Sequence, residues 1–465
     1  MHFVVSTHRE RRAVWGGQAL KVLALSSVLV TLTSRLAFGA SGSDEPWLWT
    51  RHGAATPQAI SLLRELQSAE AYGLLPDDYA RDLGPTFSPA LGAPGTVAEP
   101  QFDAAVSSAV SHFLRDLHFG RVAPRSAGFD LTMPRPALDL PTLLLQLSTT
   151  DNVGRVIASV EPPFEHYLLL KQALRRYRRL ASGTLQPTDA ERRVGQFPRR
   201  VRQIELTLER WRWLPEFTSP PIIVNIPQFR LFAFESTQDR KDEILQMDVI
   251  VGRTYPKMRT PVFVADMKYV VFRPYWDVPF SITQREMLPA IRAKPNYLSG
   301  EHLEIVRGAG DSAPVVSPSR ESLDSLASGA VRLRQRPGDD NALGLVKFML
   351  PNSYNVYLHS TPAHHLFSQS RRAFSHGCIR VSDPVALAAY VLRNAPGSWS
   401  SQSIQAAMKG RDDVRVNLTK PIRVMILYGT VLATEDGSVS FFDDIYGHDS
   451  KLEKLLRLPR VVTAQ

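Results

Sequence analysis

Apolar positions change their period near residue 215, and that change divides the chain. Before it they recur every three or four residues. Ile60, Leu63 and Leu66, followed by Leu74 and Leu75, predict a helix and then a turn. Ala105, Val106, Ala109, Val110 and Phe113 predict a second helix, and Leu168, Leu169, Ala173 and Tyr177 a third. A helix over 202–214 puts Ile204, Leu208 and Trp211 on one stripe and stops at Pro215. Beyond it, short β-branched and aromatic runs bounded by Gly, Pro and Asp predict strands at 222–226, 230–234, 247–251, 262–265 and 269–272. Strand character returns at 345–350 and 355–358, then a short helix at 384–392, strands at 424–428 and 439–442, and a basic helical tail. Between them, 283–341 mixes helix-like stretches with Gly308, Gly310 and many serines, which predicts an inserted lid.

The expected fold class is therefore α+β. A mostly helical domain (41–215) precedes a β-rich, sandwich-like domain (216–455) that carries the lid (about 283–341), with a tail at 456–465.

Residues 1–40 predict an export signal. Arg9, Arg11, Arg12 and Lys21 lead into an apolar run at 22–33, and the small residues Ala37, Gly39 and Ala40 follow. The run is shorter than the roughly 20 residues that span a bilayer. Arg11-Arg12 continues poorly as a twin-arginine signal, so the general export route and a periplasmic or cell-envelope location are expected. Net charge is +10; the leader holds five basic residues and one acid (+4), leaving +6. That excess suits an anionic polymer, and export argues against nucleic acid as a partner. No stable transmembrane segment is expected once the leader is cleaved.

The chain has one cysteine, Cys378, within Ser375-His376-Gly377-Cys378-Ile379-Arg380. An odd cysteine in an exported protein points to a reactive thiol, and its polar neighbours argue against an inert buried one. Acyl transfer on cysteine needs a base, a group that orients the base and donors for an oxyanion. His359, at the end of a predicted strand, suits the base, and the carbonyl of Ser360 its orienter. The amides of Gly377 and Cys378 suit the oxyanion, and Arg380 a substrate carboxylate. His376 either braces the loop or shares in the site. A histidine-rich setting is expected to hold the thiol partly as thiolate. A metal set from His359, His364, His365, His376 and Cys378 lacks the usual ligand spacing, and no serine lies three residues before a lysine, so the S-x-x-K serine signature is absent. No metal and no cofactor are expected.

Tyr357-Leu358-His359-Ser360-Thr361-Pro362 and the Ser375–Arg380 segment resemble the catalytic motif of the L,D-transpeptidases, the YkuD domain. Val224–Pro227, Val249–Gly252, Thr260–Phe263, Tyr275–Pro279, Lys347–Asn352 and Asp443–Gly447 resemble the large multi-domain periplasmic branch. Ala71–Leu74 and Leu117–Val122 resemble its helical scaffold domain. The resemblance implies a cofactor-free peptidoglycan enzyme of cell-wall and cell-shape maintenance, inhibited by carbapenems. Its thiol attacks a tetrapeptide stem, releases D-Ala and passes the acyl group to an amine as a 3→3 cross-link. It implies Cys378 as nucleophile, His359 as base, Ser360 as orienter and Gly377 with Cys378 as oxyanion donors. Tyr357, Arg380, His376, Ser375 and Trp276 would line the substrate pocket. Stem peptides are the implied partners, with other cell-wall synthesis proteins beside them. Alternatives are an L,D-carboxypeptidase or cross-link hydrolase on the same fold, and a wall-binding scaffold with a vestigial cysteine. Two departures stand out: 181–202 leaves no room for a peptidoglycan-binding module, and Ser360 stands where the branch often has Asp.

Overall fold

The computed structural model describes residues 47–458 apart from 84–98, 132, 134, 218, 220 and 235–244. The expected leader and most of the expected tail lie outside the described residues.

The helical periodicity is realised in two groups. Helices Pro57–Gln67, Glu99–Phe119, Leu140–Thr149 and Val153–Val160 bury Leu62, Leu66, Val106, Val110, Phe113 and Ile157 against one another. The first starts where Thr56 accepts from the Ala59 amide and Pro57 fills a position that needs no donor. Helices Glu165–Ala181 and Phe197–Trp211 pack instead into the core of the β-rich region, through Leu170, Leu174, Ile204 and Leu208. The second begins five residues earlier than its apolar stripe suggests, because Pro198 suits a first helical turn. The polar stretch before it contains a short helix, Asp189–Val194, closed by a capping box between Thr188 and Glu191.

Buried polar groups join the two helical groups. Arg212, fully buried, bonds Glu209, the hydroxyl of Tyr167 and the carbonyl of Tyr72. At Gly120 the chain turns with φ +84°, and Glu209 accepts from the Val122 amide at 2.8 Å. The scaffold-like motif around Gly120 is thus a joint between the two helical groups.

The β-rich region is built on a nine-stranded sheet, with Val431–Ala433 and Val439–Phe441 pairing separately as a two-stranded ribbon. The sheet order is Ala373–Ser375, Leu245–Gly252, Ile379–Val381, Leu358–His359, Val346–Met349, Phe263–Phe272, Val414–Leu427, Ile222–Asn225, Arg230–Ala233. Arg230–Ala233 also pairs with Leu245–Gly252, so the sheet closes on itself. The sandwich-like expectation takes this closed form, which leaves few strand edges unpaired. Two predicted runs, 262–265 and 269–272, are one continuous strand.

Between Phe272 and Val346 lies a small unit with its own four-stranded sheet, in the order Trp276–Asp277, Arg332–Gln335, Leu303–Val306, Val315–Val316. Val278, Leu288, Ile305, Leu326 and Leu333 form its separate apolar cluster. One stretch of it, Thr283–Met287, is a π-helical turn.

Candidate active site

Three adjacent strands set the site. Val346–Met349 runs antiparallel to Leu358–His359, which runs parallel to Ile379–Val381. Side chains alternate between faces. Phe348, Leu358 and Ile379 go to the core, each 0% exposed. Lys347, His359 and Arg380, register partners in turn, form a row on the other face. Tyr357 and Cys378 come two residues earlier on their strands, and the Ile379 amide donates to the Tyr357 carbonyl at 3.1 Å. Cys378, His359, Arg380, Ser375, His376 and Gly377 open on a cleft of about 370 Å³. The inserted unit forms its opposite wall with Trp276, Ile282, Arg285 and Glu286.

His359 is buried, and its Nδ1 lies 2.6 Å from the Ser360 carbonyl. A carbonyl only accepts, so Nδ1 carries the proton and Nε2 keeps its lone pair. Burial first, then Arg380 and Lys347, lower the imidazole pKa to about 3. The ring is neutral, as a base must be. The Ser360 hydroxyl faces away from this bond: it accepts from the Leu345 amide at 2.7 Å. Gly344 packs so closely that a Cβ there would lie 2.1 Å from that hydroxyl.

The expectation of a resting thiolate is corrected. Burial pushes the Cys378 thiol up, against the lowering effects of Tyr357, Lys347 and Arg380. The cleft thus holds a protonated thiol and a neutral imidazole. Tyr357 acts on the thiol, lowering its pKa, and Trp276 lines the cleft, whose wall does not include Tyr357. Burial, before the thiol's own charge, raises the Tyr357 pKa well above its usual value. The thiol also approaches the Asn355 carbonyl at 3.7 Å. Asn352 braces that turn, accepting from the Tyr354 and Val356 amides and donating to the Val356 carbonyl.

Ser375 and Gly377 shape the loop. Gly377 has φ +126°, a region that glycine tolerates best. Its amide donates to the Ser375 Oγ at 3.1 Å, while that hydroxyl donates to the Cys378 carbonyl at 2.5 Å. The Gly377 amide is therefore already engaged. Arg380 has a buried Nε without a hydrogen-bond partner among the described residues. His376 leaves the loop toward the opposite wall and meets Glu286 at 2.7 Å. His364 and His365, on the turn His364–Ser368, do not line the cleft.

Residue-by-residue reading missed Lys347, Glu286, Thr260 and Tyr446. Lys347 places its ammonium 4.2 Å from the centre of the Tyr357 ring. Thr260, fully buried, accepts from the Gly252 amide at 2.8 Å and donates to the Gly377 carbonyl at 2.7 Å. The Tyr446 hydroxyl accepts from the Thr260 amide and donates to the Gly252 carbonyl. Strand register places Lys347 and loop packing places the other three, neither of which individual residue types reveal.

A thiol, a neutral imidazole with a carbonyl-fixed tautomer, and a cleft walled by the inserted unit are parts that cysteine acyl transfer requires. Residues 220–415 match the L,D-transpeptidase catalytic domain family, YkuD, and residues 42–174 match the scaffold domain family. The chain is also 32% identical over 266 residues to a Haemophilus influenzae protein named "Putative L,D-transpeptidase". That match covers 57% of this chain and 50% of the relative, so the chain spans about half the length of the curated relative it matches.

Proposed function

We propose that this protein is a peptidoglycan L,D-transpeptidase of the cell envelope. It takes the acyl group of a tetrapeptide stem onto Cys378, releases D-Ala and forms a 3→3 cross-link. The observation that carries the reading is the His359 imidazole, neutral and held by Ser360 in the same cleft as the only cysteine.

Cys378 Sγ attacks the stem carbonyl as its proton passes to His359 Nε2. Charge on the carbonyl oxygen is met by the Cys378 amide. The Gly377 amide, an expected second donor, first has to leave the Ser375 hydroxyl. As the C–N bond breaks, imidazolium returns the proton to the departing D-Ala amine, leaving a thioester and a neutral imidazole. The free Nε of Arg380 suits a stem carboxylate, and Trp276 and Ser375 border the donor. An amine then resolves the thioester.

On this reading residues 1–40 direct export, 41–215 form the scaffold region and 216–455 the catalytic region. The unit at about 283–341 acts as a lid, and carbapenems acylate Cys378. The test is mass spectrometry of disaccharide-tetrapeptide muropeptides incubated with the protein and with Cys378→Ala. Dimers lighter than two monomers by one molecule of free D-Ala, absent with Cys378→Ala, support transpeptidation. Tripeptide monomers alone would make the protein a carboxypeptidase. Normal turnover by Cys378→Ala would overturn the mechanism.

A further inference from the structure

Glu286 is the one carboxylate lining the cleft among the described residues, where Lys257, Arg285 and Arg380 supply cations. It sits on the π-helical turn Thr283–Met287, a distortion frequent at functional sites. It reaches across the cleft to His376, two residues before the nucleophile, at 2.7 Å. Both side chains are part-exposed, 28% for His376 and 41% for Glu286, so the pair contributes little to stability as an ion pair. It remains open to a ligand entering the cleft.

Proton counting gives the pair a use. Water resolving a thioester loses one proton, which His359 can pass to the departing sulfur. A primary amine arrives as an ammonium and must lose two. One has to leave before nitrogen can attack, so an amine acceptor needs a second proton acceptor and a negative group to hold it in a cationic cleft.

We infer that Glu286 and His376 form the subsite for the acyl acceptor, specific for a primary ammonium. The inference rests on the acyl-transfer reading above. Glu286 binds the ammonium, and the Glu286–His376 pair takes its first proton. The neutral nitrogen then bonds to the thioester carbon and the C–S bond breaks. The second N–H proton travels through His359 to Sγ, restoring the thiol, while the first returns to solvent.

The full chain is given tetrapeptide muropeptide as donor and acceptor, and the ratio of cross-linked dimer to tripeptide is measured by mass spectrometry. Glu286→Gln keeps a hydrogen-bond acceptor for His376 but loses the charge. The expected result is at least a tenfold fall in that ratio, with partial recovery in Glu286→Asp. A ratio equal to wild type in Glu286→Gln overturns the subsite, since a mere latch between lid and loop would survive that change. Intact-mass measurement of carbapenem-treated wild type separates the layers. Acyl-enzyme with only tripeptide as product overturns the ammonium subsite and makes the protein a carboxypeptidase, leaving acyl transfer on Cys378 in place; dimer formed by wild type with an unchanged ratio in Glu286→Gln overturns the subsite alone. Neither acyl-enzyme nor dimer overturns the functional reading and the subsite with it.

Discussion

Lys347 is the register partner of His359, and its ammonium lies over the ring of Tyr357, which lowers the pKa of the Cys378 thiol. Burial pushes the lysine pKa down, and the Cys378 charge opposes that shift. The lysine thus offers a fixed positive charge wherever thiolate develops, while helping to keep His359 neutral. Replacing it with methionine retains the stem and removes the charge. Lys347→Met is expected to slow carbapenem acylation about tenfold at neutral pH, the equivalent of about one pKa unit on the thiol. It should also move the pH–rate curve toward higher pH. Lys347→Arg should lie closer to wild type. An unshifted curve in Lys347→Met would leave the lysine a packing role only.

Two buried histidines and a half-buried one make stability sensitive to acid. The pKa values of His359, His166 and His448 are lowered to about 3, 4 and 4, in each case first by burial. The unfolded chain takes up these protons near pH 6.5, before the folded chain does. Stability is therefore complete above pH 6.5 and falls as pH drops toward 4, by a few kcal/mol per histidine in order of magnitude. Thermal unfolding midpoints measured from pH 7.5 to 4 should show the decline. His166→Gln, far from the cleft chemistry, should flatten part of it.

The Ser360 carbonyl depends on Gly344. That glycine has φ +63°, and a Cβ would meet the Ser360 hydroxyl at 2.1 Å and the Thr361 amide at 2.7 Å. Neither neighbour is a flexible side-chain end. Gly344→Ala should cost at least about 2 kcal/mol, from left-handed backbone strain together with overpacking. It should also slow acylation by displacing the carbonyl that fixes the His359 tautomer. Chemical unfolding and carbapenem acylation, measured on the same variant, check both.

Much of this was legible in the sequence, for a physical reason. Helices that bury one face carry a period, and Leu63, Val106, Tyr177 and Leu208 show it, whereas Leu168, read on the same stripe as Tyr177, is exposed. The Ser375–Arg380 segment carries its chemistry within six residues. Elements without a period were harder to see. The sequence predicts only the last four residues of the strand Val414–Leu427, because Arg415, Asn417, Lys420 and Arg423 leave much of it in solvent. Strand Arg332–Gln335 is polar yet buried, since Arg334 pairs with Glu304 at 2.9 Å. Lys347 in an apolar run reads as a surface residue until register puts it beside His359. The thiolate expectation failed because the sequence shows which groups attend Cys378 but not that burial outweighs them.

Thr260 supports the Gly377–Cys378 turn from below. Its hydroxyl links the Gly252 amide to the Gly377 carbonyl, in a site with no exposure at Thr260 itself. Valine matches threonine in shape and can do neither job, so Thr260→Val strands a buried donor and a buried acceptor. At about 1–3 kcal/mol for each unsatisfied group, the variant should lose several kcal/mol unless the turn relaxes. Relaxation would spare the fold at the expense of the site, because the Gly377 carbonyl belongs to the peptide whose amide is that of Cys378, the expected oxyanion donor. Loss of stability and loss of acylation rate should therefore trade against each other, and Thr260→Ser should preserve both. Unfolding and acylation measured on the two variants decide the point: a Thr260→Val protein with wild-type stability and wild-type acylation would show that the turn holds itself.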